Sequence, residues 1–273
     1  MQSKVKSISN IKYLIAIASG KGGVGKSTIA LNLALALHQM GNQVGLLDAD
    51  IYGPSQPTML GVEDVRPKLG NRGFMPVVKY DLQTMSIGYM IDPNAPLAWR
   101  GPMLGKALEQ LLFESDWPQL DYLVIDLPPG TGDVQLTLCQ KIAITGAILI
   151  TTPQEVALRD VTRACEMFKK LNVPILGVIE NMAAYQCTQC GHQEPIFGTE
   201  GGTRLAEKYQ LDLLASLPLA RGIQVSTDEG KPLMVFDGER RDLVVRLRRC
   251  HRLFAPAGDV GGRLPFPQMG GAG

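Results

Sequence analysis

The sequence predicts an α/β fold, a doubly wound and mostly parallel sheet flanked by helices. Three observations predict it. Apolar runs at residues 11–18, 43–48, 121–126, 146–153 and 173–182 have the length and continuity of strands buried on both faces. Helical patterns fall between them, at residues 26–40, 99–113 and 155–170, and strands that alternate with helices build parallel sheets. The first run also passes through a glycine-rich loop directly into the first helix, a strand–loop–helix unit suited to phosphate.

That loop reads Gly20-Lys21-Gly22-Gly23-Val24-Gly25-Lys26-Ser27-Thr28, with the G-x-x-x-x-G-K-S spacing from Gly20 to Ser27. Its glycines let backbone N–H groups turn toward phosphate oxygens with no Cβ in the way. The N-terminus of the following helix adds partial positive charge at the same place. Lys26 can reach the β- and γ-phosphates of a nucleotide, and the Ser27 hydroxyl can ligate Mg²⁺. Lys21 is a second lysine inside the loop. This doubled pattern resembles the deviant Walker A loop of the MinD-like ATPases. The resemblance implies an ATP-bound homodimer in which Lys21 reaches the partner's nucleotide.

Composition bounds the rest. The 273 residues are 45% hydrophobic and 19% charged, ample for one α/β domain with a full core and marginal for two. A net charge of +1 gives no general electrostatic reason to bind nucleic acid or a membrane surface. No apolar run approaches the roughly 20 residues of a membrane span. Residues 1–10 are polar and lack the apolar segment of a secretory signal, so a cytoplasmic address is expected. The five cysteines are an odd number, and disulfides are rare in that compartment, which favours metal or redox chemistry for any closely spaced pair.

The second strand ends in Asp48-Ala49-Asp50, so both carboxylates are expected at the carboxyl edge of the sheet, facing the loop. Residues 61–96 are dense in proline and glycine, and the apolar pieces at 74–78 and 82–87 read as short strands or loops at the sheet's edge. Trp99-Arg100-Gly101-Pro102 opens the next helix, with proline in its first turn and Arg100 read as a surface residue. The strand at 121–126 ends in Asp126, a Walker B arrangement in which the acid holds Mg²⁺. The stiff Pro128-Pro129-Gly130 segment that follows is placed to sense a γ-phosphate. At the end of the strand at 173–182, the Asn181 amide can read the edge of an adenine.

Tyr185-Gln186-Cys187-Thr188-Gln189-Cys190-Gly191-His192 breaks the alternation. The C-x-x-C spacing lets two thiolates hold one metal centre. A thioredoxin-type redox pair, a zinc site with His192 as third ligand, and an iron–sulfur cluster all remain open. Two thiolates fill half of a four-cysteine site, and Cys139, Cys165 and Cys250 are not obvious companions. A two-fold dimer would bring the same pair from a second copy. Beyond it, a helix at 199–210 and a strand at 213–217 are expected. Residues 239–253 form an arginine-rich amphipathic pattern that reads as a solvated helix face, and 255–273 a disordered tail.

The assembled pattern resembles the Mrp/ApbC family of iron–sulfur cluster carrier ATPases. The residues that carry the resemblance are the 20–27 loop, Asp48-Ala49-Asp50-Ile51-Tyr52-Gly53-Pro54-Ser55, Trp99-Arg100-Gly101-Pro102, Asp126-Leu127-Pro128-Pro129-Gly130-Thr131-Gly132-Asp133, Glu180-Asn181-Met182 and the Cys187/Cys190 pair. It implies a homodimer that bridges a labile [4Fe–4S] cluster through Cys187 and Cys190. It also implies slow ATP hydrolysis coupled to loading the cluster or handing it to apo iron–sulfur proteins. Lys21 and Lys26 would then meet phosphate charge, Ser27 and Asp126 Mg²⁺, Asp50 the attacking water and Asn181 the adenine. The expected layout is a short extension at 1–10, an ATPase domain at 11–254 with a C-x-x-C insert near 183–198, and the tail. Many members carry a further small N-terminal domain, whose role would be absent here or supplied by another protein. The arginine-rich segment lies outside the matched pattern.

Overall fold

The computed structural model describes residues 8–70, 73–90, 101–232 and 234. The Trp99-Arg100 pair, the arginine-rich segment, Cys250 and the expected tail lie outside these residues. Ten strands and seven α-helices are seen among the described residues. The first half holds β1 (Ile11–Ser19), α1 (Lys26–Gln39), β2 (Val44–Asp48), α2 (Gln56–Leu60), β3 (Val77–Lys79), β4 (Leu82–Ser86) and α3 (Gly101–Phe113). Then come β5 (Leu120–Asp126), α4 (Asp133–Lys141), β6 (Gly146–Thr151), α5 (Glu155–Lys170) and β7 (Ile175–Glu180). The last elements are β8 (Tyr185–Gln186), β9 (Gln193–Glu194), α6 (Gly201–Tyr209), β10 (Leu213–Ser216) and α7 (Arg221–Asp228).

Eight strands form one sheet in the order β10-β7-β6-β1-β5-β2-β4-β3. All neighbours are parallel except the β3–β4 pair at one edge. The apolar piece expected as edge structure therefore divides: β4 joins the parallel set beside β2, and β3 alone turns back to close it.

Side-chain alternation along β1 shows why the sheet needs helices on both faces. Leu14, Ala16 and Ala18 pack into one core with Leu108 and Leu111 of α3, Leu138 of α4, and Val161 and Phe168 of α5. Ile15 and Ile17 point the other way and meet Ile29, Leu33 and Leu37 of α1. Each such Leu or Ile side chain, once fully buried, contributes about 1.5–3 kcal/mol. α5 presents its buried residues Ala157, Leu158, Val161, Ala164, Cys165 and Phe168 at helical spacing and turns Glu155 and Lys169 outward, near its negative-preferring and positive-preferring ends respectively. Among the described residues no helix is long and apolar enough to cross a membrane.

The parallel arrangement decides where a ligand can bind. Ser19, Asp48, Asp126, Thr151 and Glu180 end β1, β2, β5, β6 and β7 at one edge of the sheet. β1 sits between β6 and β5, so the chain departs to either side of it and opens a crevice above its carboxyl end.

Candidate nucleotide and metal sites

The glycine loop fills that crevice because its backbone can go where a side chain cannot. A Cβ on Gly20 would lie 2.1 Å from the Asp160 carbonyl carbon, so the loop could not pass under α5 with any other residue there. Gly25 has φ +82°, a left-handed conformation that glycine adopts at little cost and that turns the chain into α1. A cavity of about 200 Å³ opens over the loop, bordered by Lys21, Gly23, Lys26, Ser27, Asp50 and Pro129.

Lys26 is the buried charge of this cavity. Its Nζ lies 2.5 Å from Asp126 Oδ1, 3.4 Å from Asp50 Oδ2 and 3.3 Å from Ser27 Oγ. The side chains expected to meet phosphate, Mg²⁺ and water thus converge on one ammonium. Ser27 and Asp126 offer a hydroxyl and a carboxylate oxygen side by side, the hard donors that Mg²⁺ prefers, so the residues present fit that ion. Burial raises the Asp50 carboxyl above its ordinary value, Lys26 pulls it back, and the negative charge of Asp126 raises it again.

Asp48 behaves differently from the sequence-based expectation. It is fully buried rather than open to the cavity. Its Oδ1 accepts the Asp50 N–H at 3.1 Å, and its Oδ2 accepts the Gln56 N–H at 3.1 Å and the Ser86 hydroxyl at 3.0 Å. Asp48 therefore pins both ends of the 50–56 turn to the sheet. Burial, with Asp126 second, pushes its carboxyl up to about 7. Gln56 was not singled out by the sequence. Its Nε2 donates to the Ser27 carbonyl and to Asp126 Oδ2, each at 3.0 Å.

Lys21 lies at the rim, with Nζ 3.4 Å from Gln154 Oε1, and Ser19 Oγ donates to its carbonyl. Asn181 stands at the end of β7, as expected, and its Nδ2 donates to the Val24 carbonyl at 2.9 Å. It borders a second, larger cavity of about 270 Å³ that shares Gly25, Thr28 and Met59 with the first. The far wall is mainly apolar, from Leu217, Pro218, Leu219 and Ile223. An apolar wall with one amide at its side is the usual lining of a small-molecule pocket. The sequence signalled this wall only weakly, through Pro218 directly after an apolar run.

The cysteine pair projects from the same edge. β8 and β9 form a two-stranded hairpin in which the Cys187 N–H donates to the His192 carbonyl at 2.8 Å and the Gly191 N–H to the Cys187 carbonyl at 2.9 Å. Gly191 has φ +73°, which lets the turn close. Backbone N–H groups of Cys190 and Gln189 point at the Cys187 sulfur and hold its thiol below the ordinary range. Cys187 is half-buried and Cys190 exposed. Among the described residues, no third His, Cys, Asp or Glu joins them closely enough to hold a metal ion, so His192 does not complete a site within one chain. Cys139 and Cys165 are buried, and burial pushes both thiols up to about 12. The hairpin is tied to the wall of the second cavity: Ala183 N–H donates to Leu217 O and Leu219 N–H to Ala184 O, each at 2.8 Å.

Known proteins resemble this chain in sequence and fold. A Pseudomonas fragi protein named iron-sulfur cluster carrier protein is 52% identical over 238 residues, covering 86% of this chain and 83% of that one. The chain spans only 62% of the length of other curated relatives that it matches at 53–54% identity. A nucleotide-binding protein from Archaeoglobus fulgidus, solved in complex with ADP, superposes with a TM-score of 0.73 at 35% identity, covering 81% of this chain and 88% of that one. The cell division ATPase MinD of Pyrococcus furiosus, at 22% identity and a TM-score of 0.66, covers 89% of this chain and 99% of its own and shares the fold. A family model described as ParA: NUBPL iron-transfer P-loop NTPase matches residues 10–248. With the phosphate loop, the buried acids and the cysteine turn all inside that match, the chain belongs to the ParA/NUBPL family of iron-transfer P-loop NTPases.

Proposed function

We propose that this chain is an ATP-hydrolysing carrier that holds a labile [4Fe–4S] cluster between two copies of itself and hands it to apo iron–sulfur proteins. The observation that carries this reading is the Cys187–Cys190 turn. It presents one thiol with a lowered proton affinity and one exposed thiol, with no third ligand among the described residues. Two thiolates from each of two copies make a four-cysteine set. An exposed set suits a cargo that must leave, whereas structural zinc sites are closed. The names of the relatives support the same cargo.

In the nucleotide half of the cycle, the amides of residues 20–28 and the Lys26 ammonium bind the phosphates of ATP. Ser27 and Asp126 hold Mg²⁺, which offsets charge on the phosphate oxygens when bound. Asp50 orients the attacking water and accepts its hydrogen bond. Lys21, free of any buried partner, is the residue positioned to reach a nucleotide on the second copy. The amide of Asn181 reads the adenine, with Pro218 and Leu219 packed on its face. We further propose that the homodimer is cytoplasmic and works without nucleic acid or a membrane.

The test is anaerobic reconstitution with iron and sulfide, comparing wild type with the Cys187→Ala/Cys190→Ala double variant. The expected result is a broad absorption band near about 400 nm and about four iron per dimer in wild type only. Zinc retained in place of iron, with no such band, would overturn the carrier reading and favour a nucleotide-switched positioning ATPase.

A further inference from the structure

Gln56 is the first residue of α2, directly after the 50–55 turn. It is 1% exposed. Its backbone N–H binds Asp48 Oδ2. Its Nε2 bridges the Ser27 carbonyl and Asp126 Oδ2, both at 3.0 Å. Its Oε1 is buried and accepts no hydrogen bond from the described residues. The bond to Asp126 fixes which carboxylate oxygen is turned toward Lys26: Oδ2 is held by the amide and Oδ1 is left facing the ammonium. The bond to Ser27 fixes the backbone that carries the hydroxyl.

A ligand oxygen whose orientation is fixed by an outer hydrogen bond holds a metal ion better than a free one. We propose that Gln56 is a positioning residue for the divalent cation: through its amide N–H groups it orients Asp126 and the Ser27 backbone. The inference rests on the nucleotide-site reading above. It also links the cation to the 50–56 turn, because the residue that steadies Asp126 is anchored to Asp48, which also accepts the Asp50 N–H.

The experiment is equilibrium binding of a fluorescent, non-hydrolysable ATP analogue to the full chain across a Mg²⁺ titration. Wild type is compared with Gln56→Met, which keeps the volume and removes the amide. Gln56→Asn, which keeps the amide and withdraws it by one methylene, serves as a milder second variant. Thermal melting identifies any variant that has failed to fold. The expected result is a Mg²⁺ half-saturation about ten- to a hundredfold higher in Gln56→Met, the usual effect of losing an outer partner of a metal ligand. Gln56→Asn should fall between, and affinity without Mg²⁺ should change far less. An unchanged half-saturation in both folded variants would overturn the role of Gln56 while leaving the nucleotide site intact. Equal losses with and without Mg²⁺ would also overturn it, since they would mark a residue that only packs. Failure of wild type to bind the analogue at all would overturn the nucleotide reading and this inference with it.

Discussion

The ammonium of Lys26 sits 2.5 Å from Asp126 Oδ1, although the two residues are 100 apart in sequence. The parallel β1–β5 pairing makes this possible, since it places Ile17 of β1 opposite Asp126. Lys26 is 6% exposed and Asp126 not at all, so each depends on the other and on Asp50 for charge balance. Removing one member of such a pair leaves an uncompensated buried charge. Lys26→Ala should therefore lower stability by about 3 kcal/mol, beyond any loss of nucleotide binding. Chemical denaturation measures this. A variant as stable as wild type would show that the ammonium is not needed to hold the two acids.

Asp48 gives a pH dependence whose sign can be worked out. Its carboxyl is raised from 3.8 to about 7, so between those values the native chain holds a proton that the unfolded chain has released. The stabilisation is complete below about pH 4 and is lost as pH rises through about 7. Asp50 shifts in the same direction. For one proton the slope is at most about 1.4 kcal/mol per pH unit. Asp48→Asn should flatten the fall in melting temperature between pH 5 and 8, by removing the larger of the two contributions. An unchanged slope would mean that Asp48 stays ionised throughout.

Gly25 lines both cavities, and a Cβ there would lie 2.3 Å from Asn181 Nδ2. Gly25→Ala thus meets two penalties, the clash and a φ of +82°. The expected outcome is at least a tenfold loss of nucleotide affinity with retention of the fold. Calorimetry or a fluorescent analogue reads the affinity. Wild-type binding by the alanine variant would mean that Asn181 moves aside freely.

The cysteines should react in a fixed order. Backbone N–H groups favour the Cys187 thiolate, while burial raises Cys139 and Cys165 to about 12. In a Cys250→Ser background, iodoacetamide at pH 7.5 should label Cys187 first, and Cys139 and Cys165 only after denaturation. Mass spectrometry of the labelled peptides gives the order directly. Early labelling of Cys165 would contradict its burial under α6.

Mutating Lys21 separates the two halves of the site. Among the described residues its side chain bonds Gln154 at 3.4 Å, and it lies at the cavity rim. Lys21→Ala should leave stability within about 0.5 kcal/mol of wild type, as for other surface changes. If the residue acts on a second copy's nucleotide, hydrolysis should fall while binding persists. Equal loss of both would place Lys21 on its own chain's phosphates instead.

Much of the molecule was legible in the sequence because the signals were local. Continuous apolar runs identified the parallel strands, as in the 121–126 run that becomes β5. The helix at Glu155–Lys170 follows from its spacing of Val161, Cys165 and Phe168. The glycine loop, Lys26, Ser27, Asp126 and the Cys187–Cys190 spacing were each visible as strings of residues whose chemistry requires that order. Tertiary structure alone decided which of these groups meet. Asp48 and Asp50 look equivalent in sequence, yet β2 ends at Asp48 and the chain turns after it, which buries one carboxylate among three donors and directs the other to Lys26. Gln56 looks like an ordinary polar residue at a helix start, and only the packing of α2 brings its amide to Ser27 and Asp126. The apolar cavity wall at Leu217–Leu219 and the anchoring of the cysteine hairpin to it depend on β10 pairing beside β7. Sequence spacing fixes the chemistry available at each strand end, but sheet order and register, which minimise exposed apolar area over the whole chain, determine which strand ends become neighbours.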